Sequence, residues 1–565
     1  MIGVIAKPGQ GDVVEEFFEL FKTPWEVYRH GRVYDVIIVT TDEVPEVTAK
    51  LLLVYCSRTN DHELNGVAAP GRRKGAVLTD GSNSLPIYCD LLTFADESEG
   101  TPCVRTGAET AGLKRDLTDS TVVRLGYDLF EEVRFLLSQG QPVEYAHIPT
   151  LDIHIQMLRT WILEAGVPVL EIPPSPAGHS FIVCLTHDID FIGIRDHRFD
   201  HSMWGFVYRA TAGALRNFAR GRLSLKNLFK SWFSVASLPF VYAGWMKDFW
   251  EPFEWYLEVE RGLPATYFLI PFKRQAGDHV PGRHASRRAT AYDVSDLSHW
   301  TDVLQQRGCE LGVHGIDSWH SADKGREELA TIAAITAAPR TGIRMHWLLQ
   351  NGGTPAALEQ AGYSYDSTCG YNETVGYRAG TTQVFRPAGS KTLLELPLHI
   401  QDGALFYPQR LDLSEADAHQ RCQTLIDSAR KLGGVLTVLW HDRSHGPERF
   451  WGDSYVRLLA VLRPLDAWFG TAGEVVEWFR KRREVRFEQT DALGRPFSYD
   501  GEEIHPPLTV RFHQPTRQHN NEPIGESGPA FIDIPWSRKS AADIELQIGS
   551  LLSAASPGVA GYSLP

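Results

Sequence analysis

The chain contains a run of apolar residues that ends abruptly in ionisable side chains. Residues 181–190 read Phe-Ile-Val-Cys-Leu-Thr-His-Asp-Ile-Asp, a pattern that predicts a strand buried on both faces of a sheet. Alternate residues of a strand share a face, so Asp188 and Asp190 are predicted to point the same way at its carboxyl end. In α/β folds this end carries the chemistry. Two carboxylates so placed suit one metal ion and one general base, although an isolated pair could also merely cap the next segment.

Three later stretches repeat this pattern and favour the functional interpretation. Residues 310–320 read ELGVHGIDSWH, residues 342–348 read GIRMHWL, and residues 434–442 read GVLTVLWHD. Each places a His, Asp or Arg at the end of a short apolar run. Parallel strands would bring these side chains to one edge of a sheet.

Taken in order, the four stretches resemble the motifs of the polysaccharide deacetylases, carbohydrate esterase family 4. The resemblance covers about residues 180–480 and implies a distorted (β/α) barrel. It implies that Asp188 is the catalytic base, that Asp190 and His314 bind a divalent metal, zinc or another transition metal, and that Arg344 orients the base.

The same resemblance implies the acid side of the site. His441, in Leu-Trp-His at 439–441, corresponds to the general acid, and Asp366 to the residue that orients it. Two neighbouring residues, Trp347 and Arg378, are candidates for substrate binding, although Arg378 could equally belong to a structural ion pair.

The chain departs from the family at the third metal ligand. Ser318 stands where the family has its second histidine, four residues after His314. Either His320 or His346 could replace it, since His320 lies in the same loop as His314 and His346 shares a strand face with Arg344. We expect His320, because it is nearer in sequence. If neither reaches Asp190, a non-catalytic saccharide-binding module in polysaccharide assembly becomes the better interpretation.

The whole chain has 565 residues, enough for about three or four domains of ~150 residues. We predict an N-terminal α/β domain of unknown role at 1–175, the barrel at 176–485 and a β-rich appendage at 486–565. The first 40 residues follow a strand, helix, strand order, and 60–115 predict irregular loops and short strands. The formal charge of −14 argues against nucleic acid as a partner.

Seven scattered cysteines and a start unlike a signal peptide predict a cytoplasmic protein. No apolar stretch reaches the ~18 residues that a membrane span needs.

The barrel sequence carries an insertion at about 200–255. Between Gly205 and Val235 it has six Arg or Lys residues, no Asp or Glu, and several large aromatics. Such a segment suits peripheral contact with an anionic membrane surface. The alternative, slightly favoured, is that the aromatics pack against the barrel and the cations are solvated.

Together these features predict a metal-dependent hydrolase that removes N-acetyl groups from an amino-sugar-containing saccharide or its precursor. The same catalytic set would also allow an O-deacetylase or an amidase on a non-sugar amide.

Overall fold

The computed structural model describes residues 1–58, 71–80, 83–95, 100–282, 285–336, 340–487, 503–515 and 531–536. Its strands, labelled in chain order, are β1 Ile2–Ile5, β2 Trp25–Val27, β3 Val36–Val39, β4 Leu51–Tyr55, β5 Gly71–Asp80, β6 Asn83–Thr93, β7 Thr101–Thr106, β8 Glu109–Asp116, β9 Thr121–Leu125, β10 Val169–Glu171, β11 Phe181–Ile189, β12 Thr266–Leu269, β13 Glu310–Gly315, β14 Ile343–Met345, β15 Tyr365–Asp366, β16 Leu394–Glu395, β17 Ile400–Gln401, β18 Val435–Leu439, β19 Ala467–Phe469, β20 Leu508–His513 and β21 Phe531–Trp536. Its α-helices are α1 Gly11–Phe21, α2 Leu129–Ser138, α3 Thr150–Glu164, α4 His201–Tyr208, α5 Ala214–Ala219, α6 Leu225–Tyr242, α7 Phe253–Val259, α8 Ser298–Gln306, α9 Ala322–Thr336, α10 Thr354–Ala361, α11 Asp402–Phe406, α12 Glu415–Leu432, α13 Gly452–Leu462 and α14 Ala472–Glu484.

The N-terminal part forms a nine-stranded mixed sheet. Its order is β2-β1-β3-β4-β9-β8-β7-β5-β6, with the first five strands parallel and the rest antiparallel. Helices α1, α2 and α3 bury their apolar side chains in one core with this sheet. Strands β5 to β8 are longer than the short strands and loops that the sequence predicts. Exposed residues are frequent in β5 and β7, so long apolar runs are missing from these two stretches of the sequence.

The second sheet is the parallel barrel predicted from the motifs. Its strands run in the order β16-β15-β14-β13-β12-β11-β18-β17, and β19 pairs with β11. All these pairings are parallel. Every residue of the central strand β11 is buried, as the apolar run predicts.

The barrel closes through one continuous segment, residues 394–401. At its start, β16 pairs with β15, and the Leu396 N–H donates to the Asp366 carbonyl. At its end, β17 pairs with β18, and the His399 N–H donates to the Thr437 carbonyl. This short crossing distorts the barrel, so the prediction of a distorted (β/α) barrel is confirmed.

Helices α4, α5 and α6 form the insertion between β11 and β12, and a π-helical turn at Arg209–Gly213 joins α4 to α5. A small buried cluster that includes Phe206, Leu238 and Trp250 anchors these helices to the body of the protein.

A third, three-stranded antiparallel sheet has the order β10-β20-β21. Much of the predicted C-terminal appendage, at 488–502, 516–530 and 537–565, lies outside the described residues. Among the described helices, none combines the length and apolar character needed to cross a bilayer.

Candidate metal centre and catalytic residues

Three side chains from the ends of three barrel strands meet at the carboxyl edge of the sheet. The Oδ1 atom of Asp190, just after β11, lies 3.4 Å from Nε2 of His314 on β13. The same oxygen lies 3.2 Å from Nε2 of His346, which follows β14. All three potential ligand atoms lie within 4.8 Å of one another. Within the part of the chain that the structure describes, this is the single His, Cys, Asp and Glu group close enough to hold a metal ion.

The surroundings of this triad suit a cation. His314 Nδ1 donates a hydrogen bond to the Arg344 carbonyl at 3.0 Å, which leaves Nε2 free to act as a ligand. Burial lowers the pKa of His346 well below its ordinary value and keeps that ring neutral. Asp190 Oδ1 is buried and accepts no hydrogen bond from the described residues. Such an unsatisfied oxygen is costly unless a cation contacts it, so the residues fit a divalent metal.

The sequence favours His320 as the third ligand, but in the structure His346, and not His320, lies within ligand distance of Asp190 and His314. His320 Nε2 instead lies 3.3 Å from Asp317 Oδ1. The loop after β13 is held elsewhere: Glu328 accepts hydrogen bonds from the N–H groups of Ile316 and Asp317 and from the Ser318 hydroxyl. These hydrogen bonds hold the loop around Glu328. His320 therefore does not reach Asp190, although it is close to His314 in sequence.

Asp188 is held by Arg344 in a buried network. Arg344 Nη1 donates to Asp188 Oδ1 at 3.0 Å and to the Thr186 hydroxyl at 2.8 Å. Its other nitrogens donate to the carbonyl and hydroxyl of Ser367, and its guanidinium stacks 4.6 Å from the centre of the Phe268 ring. Asp188 Oδ2 lies 3.9 Å from Nε2 of His314. The fully buried Arg344 guanidinium thus fixes the Asp188 carboxylate in place next to the triad.

His441, just after β18, is paired with Asp402 at the start of α11. His441 Nδ1 donates to Asp402 Oδ1 at 2.5 Å, and the His441 N–H donates to Oδ2 at 3.0 Å. The Ser444 hydroxyl also donates to Oδ2. Burial alone would lower the pKa of His441, but the Asp402 carboxylate outweighs it and raises the pKa to about 10. Asp190 and Asp188 contribute in the same direction. The Asp402 carboxylate therefore favours the protonated form of the ring, and the charge of that ring also interacts with Asp190 and Asp188.

The predicted partner of His441, Asp366, lies elsewhere. Asp366 pairs in register with Ile343, and Ile343 alternates with Arg344 along β14. Asp366 therefore points to the sheet face opposite Arg344, where Oδ1 accepts hydrogen bonds from the N–H and hydroxyl of Thr368. Burial raises the pKa of Asp366 to about 6. Sequence reasoning missed Asp402, although the short apolar segment before it, which ends in Ile400, has the same pattern as the other motifs.

The two substrate-binding candidates have different environments. The Trp347 ring is 38% exposed and lies edge-on to His346, with ring centres 5.9 Å apart. Arg378 donates to the Gly370 carbonyl at 2.8 Å and lines a cavity of about 420 Å³ together with Asp366 and Gly140. The structure thus places Trp347 beside the triad, and it places Arg378 between the barrel and the end of helix α2.

A further carboxyl group in this region carried no predicted role. Asp442 Oδ1 accepts a hydrogen bond from the Asp190 N–H at 3.2 Å. Burial, followed by the charge of Asp190, raises the pKa of Asp442 to about 7. Asp442 thus fixes the backbone that presents Asp190.

No protein-family model matches the chain, and no curated protein is significantly similar to it in sequence. Among solved structures, it is similar to one described as a polysaccharide deacetylase from Mycobacterium smegmatis, with 19% identity and a TM-score of 0.32 over 57% of this chain and 99% of that one. A structure described as a polysaccharide deacetylase from Pseudomonas aeruginosa PAO1 has 13% identity and a TM-score of 0.33, over 55% and 94% of the two chains. An allantoinase structure has 13% identity and a TM-score of 0.31, over 54% and 92%.

Each of these matches covers a little over half of this chain.

Proposed function

We propose that the protein is a metal-dependent hydrolase that removes N-acetyl groups from an amino-sugar-containing saccharide or its precursor. One observation carries this proposal: a carboxylate held by an arginine and an imidazole held by a carboxylate both interact with residues of the same triad. They are Asp188 with Arg344 and His441 with Asp402. Hydrolysis of an amide at a metal site requires a general base and a general acid next to the metal, and these two pairs supply them.

Asp190, His314 and His346 would hold the metal. Two imidazoles and one carboxylate leave coordination positions open for water and substrate, as in catalytic zinc sites, and other transition metals accept the same donors. When bound, a divalent ion supplies a water of lowered pKa and polarises the acyl oxygen.

Asp188 acts as the base. Arg344 keeps its carboxylate charged and oriented, because a buried guanidinium 3.0 Å away favours the ionised form. Asp188 accepts the proton that the attacking water loses. Proton transfer to a positioned base typically raises the rate by ~10²–10⁴-fold.

His441 acts as the acid and favours an amide substrate over an ester. An amine is a poor leaving group until its nitrogen is protonated, whereas an alkoxide departs from an ester more readily. A histidine whose pKa is raised to about 10 stays protonated at neutral pH. This observation supports N-deacetylation over the O-deacetylase alternative, although a non-sugar amide would satisfy it equally well.

Trp347 is the proposed contact for the sugar ring. Its partly exposed indole stands beside the metal ligand His346 and offers an apolar face with a polar edge. We further propose a cytoplasmic location, which the scattered positions of the seven cysteines, with no Cys-x-x-Cys pair among them, support.

The test combines metal analysis with an acetate assay. Protein purified without added metal and dialysed should retain a divalent ion, and it should release acetate from N-acetylglucosamine oligomers. Removal of the metal with a chelator should abolish the release, and zinc should restore it. Protein that holds no metal and releases no acetate, but still binds the oligomers, would instead support the non-catalytic saccharide-binding module.

A further inference from the structure

The outer surface of the insertion is aromatic and cationic. Most of the exposed large aromatic side chains of the described residues lie between 199 and 246. Scattered exposed apolar residues are normal on a soluble protein, but a contiguous cluster of large ones marks an interaction surface. The insertion therefore has the composition of an interaction surface.

Helix α6 has apolar side chains on both of its faces. The residues that it turns toward the protein are Leu228, Leu238 and Val241 together with three serines, Ser231, Ser234 and Ser237. Its outward face carries the exposed side chains Leu225, Phe229, Trp232, Phe233 and Phe240. These positions recur at helical spacing along one stripe. An exposed apolar stripe of this size is available to pack against another surface.

The helices before α6 extend this surface. Trp204, Tyr208, Leu215 and Phe218 are each at least 38% exposed. Two exposed cations, Arg216 and Arg220, lie close to Leu215 and Phe218 in sequence. Two more, Lys226 and Lys230, lie among the aromatic residues of α6. No Asp or Glu occurs from Gly205 to Met246.

Charge decides which partner fits this surface. Among the described residues, Arg216, Arg220, Lys226 and Lys230 have no ion-pair partner, so their charges are available to an anionic surface. A second copy of the chain docked through the same face would bring like charges together with no acidic residue to balance them. Aromatic rings between unpaired cations instead match the boundary of a bilayer with anionic headgroups. The net charge of −14 for the chain would turn the rest of the molecule away from that surface.

The insertion also contacts the loop that carries the acid. The Ser231 hydroxyl donates to the Pro447 carbonyl at 2.7 Å, and Trp250 Nε1 donates to Glu448 Oε2 at 3.3 Å. The Arg443 guanidinium stacks 4.7 Å from the centre of the Trp250 ring. Pro447, Glu448 and Arg443 follow His441 within seven residues, so the aromatic surface and the acid belong to one packed unit.

We infer that the exposed face of α4 to α6 docks the protein on an anionic bilayer and presents the site to a saccharide linked to a membrane lipid. The second half of this inference rests on the proposed function, whereas the docking itself does not.

Vesicle binding tests the docking without any use of activity. The full-length protein should sediment at low salt with vesicles of equal parts phosphatidylglycerol and phosphatidylcholine, release as salt rises, and bind phosphatidylcholine vesicles far less. Replacement of Arg216, Arg220, Lys226 and Lys230 by Gln should weaken binding by at least about a hundredfold, since each charge near an anionic surface contributes about 1 kcal/mol, or about fivefold.

A matched control removes the same number of exposed cations from other surfaces. Arg29, Lys50, Arg58 and Arg340 are between 59% and 68% exposed and lie outside the insertion. Their replacement by Gln should leave vesicle binding within about threefold of the parent, because they do not face the bilayer.

A second variant tests the aromatic contribution. Phe229→Ser combined with Phe233→Ser should reduce vesicle binding at moderate salt, while acetate release from soluble oligomers stays at the parent rate. Parent protein that never binds anionic vesicles at low salt would overturn the inference. So would a parent dimer in solution that this double substitution converts to monomer, since a second copy would then cover the face. Vesicle binding by a protein that releases no acetate would leave docking intact and refute the proposed function.

Discussion

Replacement of Asp402 by Asn should shift the pH dependence of the reaction, because Asp402 is what keeps His441 protonated. The two side chains are 2.5 Å apart, and the carboxylate raises the pKa of His441 to about 10 against the opposing effect of burial. The neutral amide of Asp402→Asn removes the charge, so the pKa should fall toward or below the ordinary histidine value of about 6.5. Asp188 and Asp190 also raise the pKa of His441, and a cation bound at Asp190 would offset their effect. It would not offset the effect of Asp402, which contacts the ring directly.

The size of the loss follows from the protonated fraction. At pH 8, an acid with a pKa of about 10 is ~99% protonated, whereas one with a pKa of about 6.5 is ~3% protonated. Protonation alone then costs about thirtyfold in rate at pH 8, and almost nothing at pH 6. Poorer orientation of the ring adds a factor that does not depend on pH.

The assay is kcat/KM for acetate release measured across the pH range. The basic limb of the profile should move to lower pH in Asp402→Asn, because an acid with a lower pKa is lost at lower pH. The matched control is Asp366→Asn, an equal change at the aspartate that the sequence motifs assign to this role. Asp366→Asn should leave the basic limb of the pH profile where it lies in the parent protein. A shift in Asp366→Asn and none in Asp402→Asn would refute the structural assignment.

Three further predictions concern the rest of the site. Asp188→Asn and His441→Ala should each reduce turnover by at least ~10²-fold with an unchanged circular dichroism spectrum, and a near-parent rate in either would remove that residue from its role. His346→Ala should lower the metal content of dialysed protein, measured by elemental analysis, whereas His320→Ala should not. Equal retention by both variants would mean that His346 is not a ligand. Arg344→Met should destabilise the protein by about 3–5 kcal/mol in denaturant unfolding, since it leaves the Asp188 carboxylate buried and unpaired, and a loss below about 1 kcal/mol would show that the pair is not needed for stability.

Local sequence determined the parts of the site that depend on one strand each. An apolar run that ends in Asp-x-Asp predicts a buried strand with two carboxylates on one face, and β11 has that form. His314, Arg344 and His441 lie at or directly after strand ends for the same reason. The order of these motifs also predicts a parallel barrel, because parallel strands bring their carboxyl ends to one edge.

The tertiary structure decided which side chains from different strands meet. His346 rather than His320 reaches Asp190, because Glu328 anchors the loop after β13. Asp402 rather than Asp366 holds His441, because strand register turns Asp366 to the other face of the sheet.

The role of the insertion was likewise open from sequence. Its composition fits aromatics packed inward as well as aromatics turned outward, since one helical stripe can face either side. The exposure of Leu225, Phe229, Trp232, Phe233 and Phe240 in the structure shows that the aromatic stripe of α6 faces outward. Sequence patterns report periodicity within one element, whereas partners across elements depend on register, loop anchoring and the direction in which each face packs.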